Sequence, residues 1–191
     1  MKLQCIFYLA TIFASCDTTD ASSGKSIRGN GGNPGKPKKD SASPAPSPTP
    51  DMCGVPQYDA STLLSDLATH RSIWESYLGF ANSYCMTYTK SCYCTPEYRG
   101  PFRVCVQSGR VISATTIDRK EPVTDPDVLS SLRSIEDLFG IVQTGLDNRY
   151  YNLIAEYSDS LGFPFHVYED GCFGIADDEH EYWVSDVVVD N

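Results

Sequence analysis

The residues with the most chemistry to offer in this chain are its cysteines: Cys5, Cys16, Cys53, Cys85, Cys92, Cys94, Cys105 and Cys172. Cys92-Tyr93-Cys94 is the closest spacing. A Cys-x-Cys pair works as a redox couple when one thiol is exposed and has a depressed pKa, for which a neighbouring cation is the usual cause. The nearest basic residues are Lys90 and Arg99. In a regular strand, residues two apart share a face and cannot easily bond each other. Cys92 and Cys94 are therefore expected to lie inward, free to bond different partners; at least two disulfides are expected, at least one of them using Cys92 or Cys94, with the partners left open. Six cysteines, from Cys53 to Cys172, fall in the foldable part of the chain, an even number that fits up to three structural disulfides. Fifteen pairings are open, and spacing does not choose among them.

Carboxylates make the second group. Asp177, Asp178, Glu179 and Glu181 are nearly contiguous, with Asp170 upstream. Oxygen-rich loops suit Ca²⁺, a hard cation that takes carboxylates and carbonyls. The spacing is not that of an EF-hand, so Asp170, Asp177, Asp178 and Glu179 stand as a Ca²⁺ candidate beside the simpler reading of a solvated acidic loop. No other cofactor is expected. The histidines are His70, His166 and His180. None has metal-ligand spacing such as His-Glu-x-x-His, and His166, in an alternating stretch, is expected to point outward. No catalytic residue is assigned.

Positioning these groups requires the following elements. Leu63, Leu67, Trp74 and Leu78 recur at helical spacing, so a helix is expected over 61–78, capped by Asp59 or Ser61. The period then changes. Tyr84, Met86 and Tyr88 alternate with Cys85, Thr87 and Thr89 in a strand. A turn at 95–101 leads to the alternation of Phe102, Val104 and Val106, and Ser108-Gly109 marks a hairpin to a strand over 111–117. Residues 118–133 read as a polar loop. Ser134 and Asp137 form a capping pair before the apolar stripe Ile135, Leu138, Phe139, Val142 and Leu146. Strands are expected at 152–157, 165–168 and 182–189. The sum is an α+β domain: two helices packed on a mostly antiparallel five- to six-stranded sheet.

The start of the chain has a different character. Lys2, the apolar run from Leu3 to Phe13, and Ala14-Ser15-Cys16 have the form of a secretion signal. Two outcomes stay open: cleavage to a soluble protein, or lipobox-type cleavage with acylation of Cys16. Residues 17–51 are Gly, Ser, Pro, Asp, Lys and Thr, with Pro alternating over 44–50, and read as a disordered tether. The organisation expected is a signal over 1–16, a tether over 17–51 and one domain over 52–191. Charge is uneven too. After residue 50 there are nine basic and 22 acidic residues, and from Tyr151 to Asn191 there are ten acidic residues with no Lys or Arg. Such a surface repels phosphate backbones and anionic headgroups. Nucleic acid is thereby excluded as a partner, and membrane contact is expected only through a lipid at Cys16.

Several of these segments together resemble a known family. They are Trp74 with Tyr77, Tyr84 and Tyr88, Cys92-Tyr93-Cys94-Thr95-Pro96-Glu97, Gly100-Pro101, and the hairpin Val106-Gln107-Ser108-Gly109-Arg110-Val111. Ser134-Ile135-Glu136-Asp137-Leu138-Phe139, Tyr157-Ser158-Asp159-Ser160-Leu161-Gly162-Phe163-Pro164 and Ala176-Asp177-Asp178-Glu179 continue the pattern. Over about residues 73–190 the chain resembles the family known as domain of unknown function 6174, whose members look like secreted proteins or lipoproteins. The resemblance implies an exported domain and no established activity. This chain departs from the simpler family pattern in adding Cys53, Cys85, Cys105 and Cys172, and in carrying Ser158 where an Asp would follow the Tyr. The functional expectation is an extracytoplasmic, non-catalytic domain that binds a protein or ligand. The alternative is thiol-redox or Ca²⁺-dependent activity at Cys92/Cys94 or at the acidic loop.

Overall fold

The computed structural model describes residues 53–79 and 81–190. The expected signal, the tether and Cys16 lie outside the described residues. Helix α1 runs Ala60–Leu78. Its N-cap is Asp59, whose Oδ1 accepts from the backbone N–H of Ser61 at 2.9 Å and of Thr62 at 3.3 Å. It ends at Gly79, where φ is +53°. Leu67 and Trp74, two helical turns apart, are its buried residues.

Strand β1 (Ser83–Cys92) follows, then a 3₁₀ turn at Pro96–Tyr98, β2 (Phe102–Gln107) and β3 (Arg110–Thr116). The β2–β3 turn has positive φ at both central residues, Ser108 at 51° and Gly109 at 72°, as a two-residue hairpin matched to strand twist requires. The expected polar loop at 118–133 is corrected in part, because α2 occupies Pro126–Ser131. Asp125 caps it and Pro126 opens it, a start signal that stands without a following period because one and a half turns are too short to show one. Helix α3 covers Ile135–Asn148. Its capping box is complete: Asp137 N–H donates to Ser134 Oγ at 3.0 Å, and Ser134 N–H donates to Asp137 Oδ2 at 2.9 Å. Strands β4 (Asn152–Tyr157), β5 (Pro164–Asp170) and β6 (His180–Val189) complete the domain.

The six strands form one antiparallel sheet in the order β3-β2-β1-β6-β5-β4. Two long helices and the short α2 accompany it, which is an α+β fold. The alternation seen in the sequence sorts the two faces. Tyr84, Met86, Tyr88, Val104, Val106, Leu153, Val167, Tyr182 and Val184 are buried together with Ile135, Leu138, Phe139 and Val142 of α3. The alternate residues of the strands face away from this core.

Two contacts fix α1 and α3 on the sheet. The first centres on the Glu136 carboxylate, which accepts from Trp74 Nε1 at 3.1 Å and from the Tyr84 hydroxyl at 2.6 Å. The same hydroxyl accepts the backbone N–H of Ile135 at 2.8 Å, so β1 caps an open donor at the start of α3. The second is Gly162, at φ +79°, where a Cβ would lie 2.5 Å from the His70 carbonyl oxygen and 2.6 Å from the Trp74 nitrogen. The absent side chain lets the β4–β5 connection lie against the backbone of α1.

Candidate functional site

The six domain cysteines form three disulfides: Cys53–Cys172, Cys85–Cys105 and Cys92–Cys94. Cys85 and Cys105 stand directly opposite in the β1–β2 ladder, with Cα atoms 4.1 Å apart. Cys53 joins the start of the domain to the loop after β5, across 119 positions. The pairing of Cys92 with Cys94 corrects the argument that strand neighbours cannot bond. β1 stops at Cys92, the Cys94 N–H turns back to the Cys92 carbonyl at 2.8 Å, and the Cα atoms come to 5.2 Å. Cys94 is therefore not an inward strand residue. Arg99 donates to the Cys94 carbonyl oxygen at 2.7 Å, and Tyr93 between the pair is 83 % exposed.

The uncovered side of β4, β5 and β6 gathers side chains that are far apart in sequence. Register aligns Glu156, His166 and Trp183 in one row, and Ile154, Tyr168 and Glu181 in the next. His166 is held from both sides: Nδ1 lies 2.9 Å from Glu156 Oε2, and Nε2 lies 2.8 Å from Glu181 Oε1. Carboxylates only accept, so both contacts are hydrogen bonds when the ring donates from both nitrogens, as an imidazolium does. The ring stacks on Trp183, with centroids 5.6 Å apart and planes 11° apart. The alternation predicts an outward His166 but not the glutamate clamp. Alternation within each strand marks these residues as outward, but only the strand register brings them together.

At the edge of this surface lies the acidic loop between β5 and β6. Asp170, Asp178 and Glu179 each offer an oxygen within 4.8 Å of the others. Asp177 is not among them; it sits at φ +78°. Asp178 Oδ2 accepts the Cys172 N–H at 3.0 Å. The Asp170 carboxyl is pushed above its usual range, first by burial and then by Asp178 and Glu179. Tyr168 is raised too, by burial and then by Asp170, Glu179, Glu181 and Asp178, which ties the loop electrostatically to the open face.

The remaining histidines sit elsewhere. His70 stacks on Tyr157 with centroids 4.6 Å apart, and His180 stacks on Tyr182 with Nδ1 3.8 Å from Glu169 Oε1. Trp74, Tyr84 and Tyr88 are core residues, as their spacing suggested.

A protein-family model described as "Family of unknown function (DUF6174)" matches residues 66–189. No curated protein and no solved structure matches the chain.

Proposed function

The chain belongs to the DUF6174 family, whose function is unknown, and from that premise we propose that its domain is an exported, non-catalytic binding module whose bare sheet face holds a basic partner outside the cytoplasm. One observation carries the reading. Trp183, Tyr168 and Ile154 share that face with Glu156 and Glu181, and His166 on the same face is already held between the two glutamates. Aromatic rings beside carboxylates suit lysine or arginine groups, through cation–π contact and steering by the field of the acidic C-terminal third. Among the described residues all six cysteines are bonded, and no histidine is hydrogen-bonded to a serine or cysteine. Disulfides persist in oxidising compartments, in keeping with the apolar segment from Leu3 to Phe13. No described helix is long and apolar enough to cross a membrane.

The test is a titration of the full chain with a lysine- and arginine-rich decapeptide and with a glutamate-rich one. Trp183 is 38 % exposed and Trp74 only 1 %, so quenching of fluorescence by a soluble quencher reports Trp183. The basic peptide should protect Trp183, and W183A or the pair E156Q/E181Q should weaken binding. D118N/E121Q, which removes exposed carboxylates on the β3–α2 connection, should leave it unchanged. Equal losses from both carboxylate pairs would reduce the effect to net charge and overturn the reading.

A second reading has its own observation. Cys92–Cys94 closes a ring of only three residues, so it contributes little through chain entropy, and its position at a strand end fits exchange with an external dithiol. That dithiol would be oxidised to a disulfide as Cys92 and Cys94 become thiols. Mild reduction followed by thiol counting should then label Cys92 and Cys94 ahead of the other four; labelling in any other order removes this reading.

A further inference from the structure

The loop between β5 and β6 presents an electrostatic problem that the described protein groups do not solve. Asp170, Asp178 and Glu179 converge with oxygens within 4.8 Å of one another. None of them takes part in a salt bridge among the described residues, and no Lys or Arg occurs from Tyr151 onward. Asp170 is nine-tenths buried, at 9 % exposed. Its Oδ1 and the Oδ1 of Asp178 are shielded from solvent and have no hydrogen-bond partner among the described residues. Buried carboxylate oxygens are normally paired, because stripping them of water without a partner costs several kcal/mol in mutational and transfer measurements. Among the described residues, the donor that reaches the pair is the Cys172 N–H, at Asp178 Oδ2. Two unpartnered oxygens beside a third carboxylate therefore call for a positive charge from outside the chain.

We propose that Asp170, Asp178 and Glu179 bind a divalent hard cation, Ca²⁺. Three carboxylates offer up to six oxygens, and Ca²⁺ accepts 6–8 oxygen ligands in irregular geometry, with water filling the remainder. Mg²⁺ demands near-ideal octahedral geometry and gives up its own water reluctantly. The site is built from two sides. Asp170 closes β5, a strand paired on both sides, while Asp178 and Glu179 lie on the returning arm of a loop whose base is bonded through Cys172 to Cys53. Gly171 leaves space at this point: a Cβ there would stand 3.2 Å from Asp178 Oδ2. The inference is separate from the basic-partner reading, since it uses none of Trp183, Glu156 or Glu181.

Calorimetric titration of the full, metal-stripped chain with CaCl₂ tests the assignment. The expected result is saturable binding of one Ca²⁺ per chain, with MgCl₂ at least tenfold weaker and with a higher melting temperature in Ca²⁺ than in chelator. D170N and E179Q should each weaken Ca²⁺ at least tenfold, and D177N should not. Glu179 is exposed, so E179Q remains decisive if D170N fails to fold. The proposal is overturned by absence of Ca²⁺ heat and melting shift, which would mean that a shared proton neutralises the cluster. It is overturned equally by E179Q binding like wild type, by D177N losing Ca²⁺ as much as E179Q does, or by Mg²⁺ binding as tightly as Ca²⁺.

Discussion

Replacing Tyr84 with Phe removes one oxygen and leaves the ring in place, so burial of apolar surface is nearly unchanged. That oxygen has two jobs: it donates to Glu136 Oε2 at 2.6 Å and accepts the Ile135 N–H at 2.8 Å. The residue is 1 % exposed, so water cannot take over either contact without rearrangement. Losing a hydrogen bond to a charged acceptor costs about 1.5–3 kcal/mol, and leaving a buried N–H without an acceptor costs about 1–3 kcal/mol more. Allowing for overlap, Y84F should lose about 2–4 kcal/mol. At roughly 3 °C per kcal/mol for a domain of this size, the melting temperature should fall by about 6–12 °C. The assay is urea and thermal denaturation of oxidised protein, with E136Q and the double variant closing a mutant cycle. E136Q keeps a single acceptor oxygen, enough for Trp74 Nε1 or for the Tyr84 hydroxyl but not both, and turns an NH2 donor toward the other, so it should destabilise as well. Coupling within the cycle should fall in the range of about 0.5–3 kcal/mol typical of contacting residues. A loss below about 0.5 kcal/mol for Y84F, or no coupling, would refute the claim that this joint sets α3 on β1.

Three further outcomes are expected. G162A should destabilise by more than about 2 kcal/mol, since it combines an unfavourable positive φ with overlap against the backbone of α1; a melting curve like that of wild type would show that the β4–β5 connection can move aside. Paired Cys-to-Ala variants should rank by enclosed chain: about 5 kcal/mol for Cys53–Cys172 at separation 119, about 3 kcal/mol for Cys85–Cys105 at 20, and under about 2 kcal/mol for Cys92–Cys94 at 2, so a reversed order in urea melts would contradict loop closure as the cause. The Asp59 carboxyl is held down at about 2 from 3.8, chiefly by the Ser61 hydroxyl and the Thr62 N–H. Its contribution is complete above about pH 4 and is lost as pH falls towards 2, so D59N should flatten the acid limb of the stability curve, and an unchanged limb would count against the cap.

The sequence yields the fold where periodicity is local. Tyr84, Met86 and Tyr88, or Ile135, Leu138, Phe139 and Val142, declare a strand and a helix because each apolar residue recurs at the spacing of its own element. Three features could not be read that way. Helix α2 is too short to show a period, so its Asp125-Pro126 start was the only signal. The alternation of β1 gives no sign of stopping between Cys92 and Cys94, and so assigns both to one strand face. The cluster of Glu156, His166, Glu181 and Trp183 depends on the register of β4, β5 and β6, and no local pattern encodes that alignment. The acidic loop is intermediate. Asp178 and Glu179 announce themselves as neighbours, but only the fold places Asp170 beside them and sets Asp177 apart.

The Cys53–Cys172 bond also determines how the domain answers to a mechanical load. Tension applied between Cys53 and Asp190 follows the shortest covalent route, which crosses the bridge and continues along residues 173–190. Helices α1–α3 and strands β1–β5 lie on the closed branch and stay slack. Only β6, inserted between β1 and β5, bears the pull. Stretching the oxidised domain to its limit releases about 60 Å of chain at ~3.4 Å per residue, against about 470 Å once the bridge is reduced. A domain held at its N-terminal side can thus be tugged hard and still keep most of its structure off the line of force.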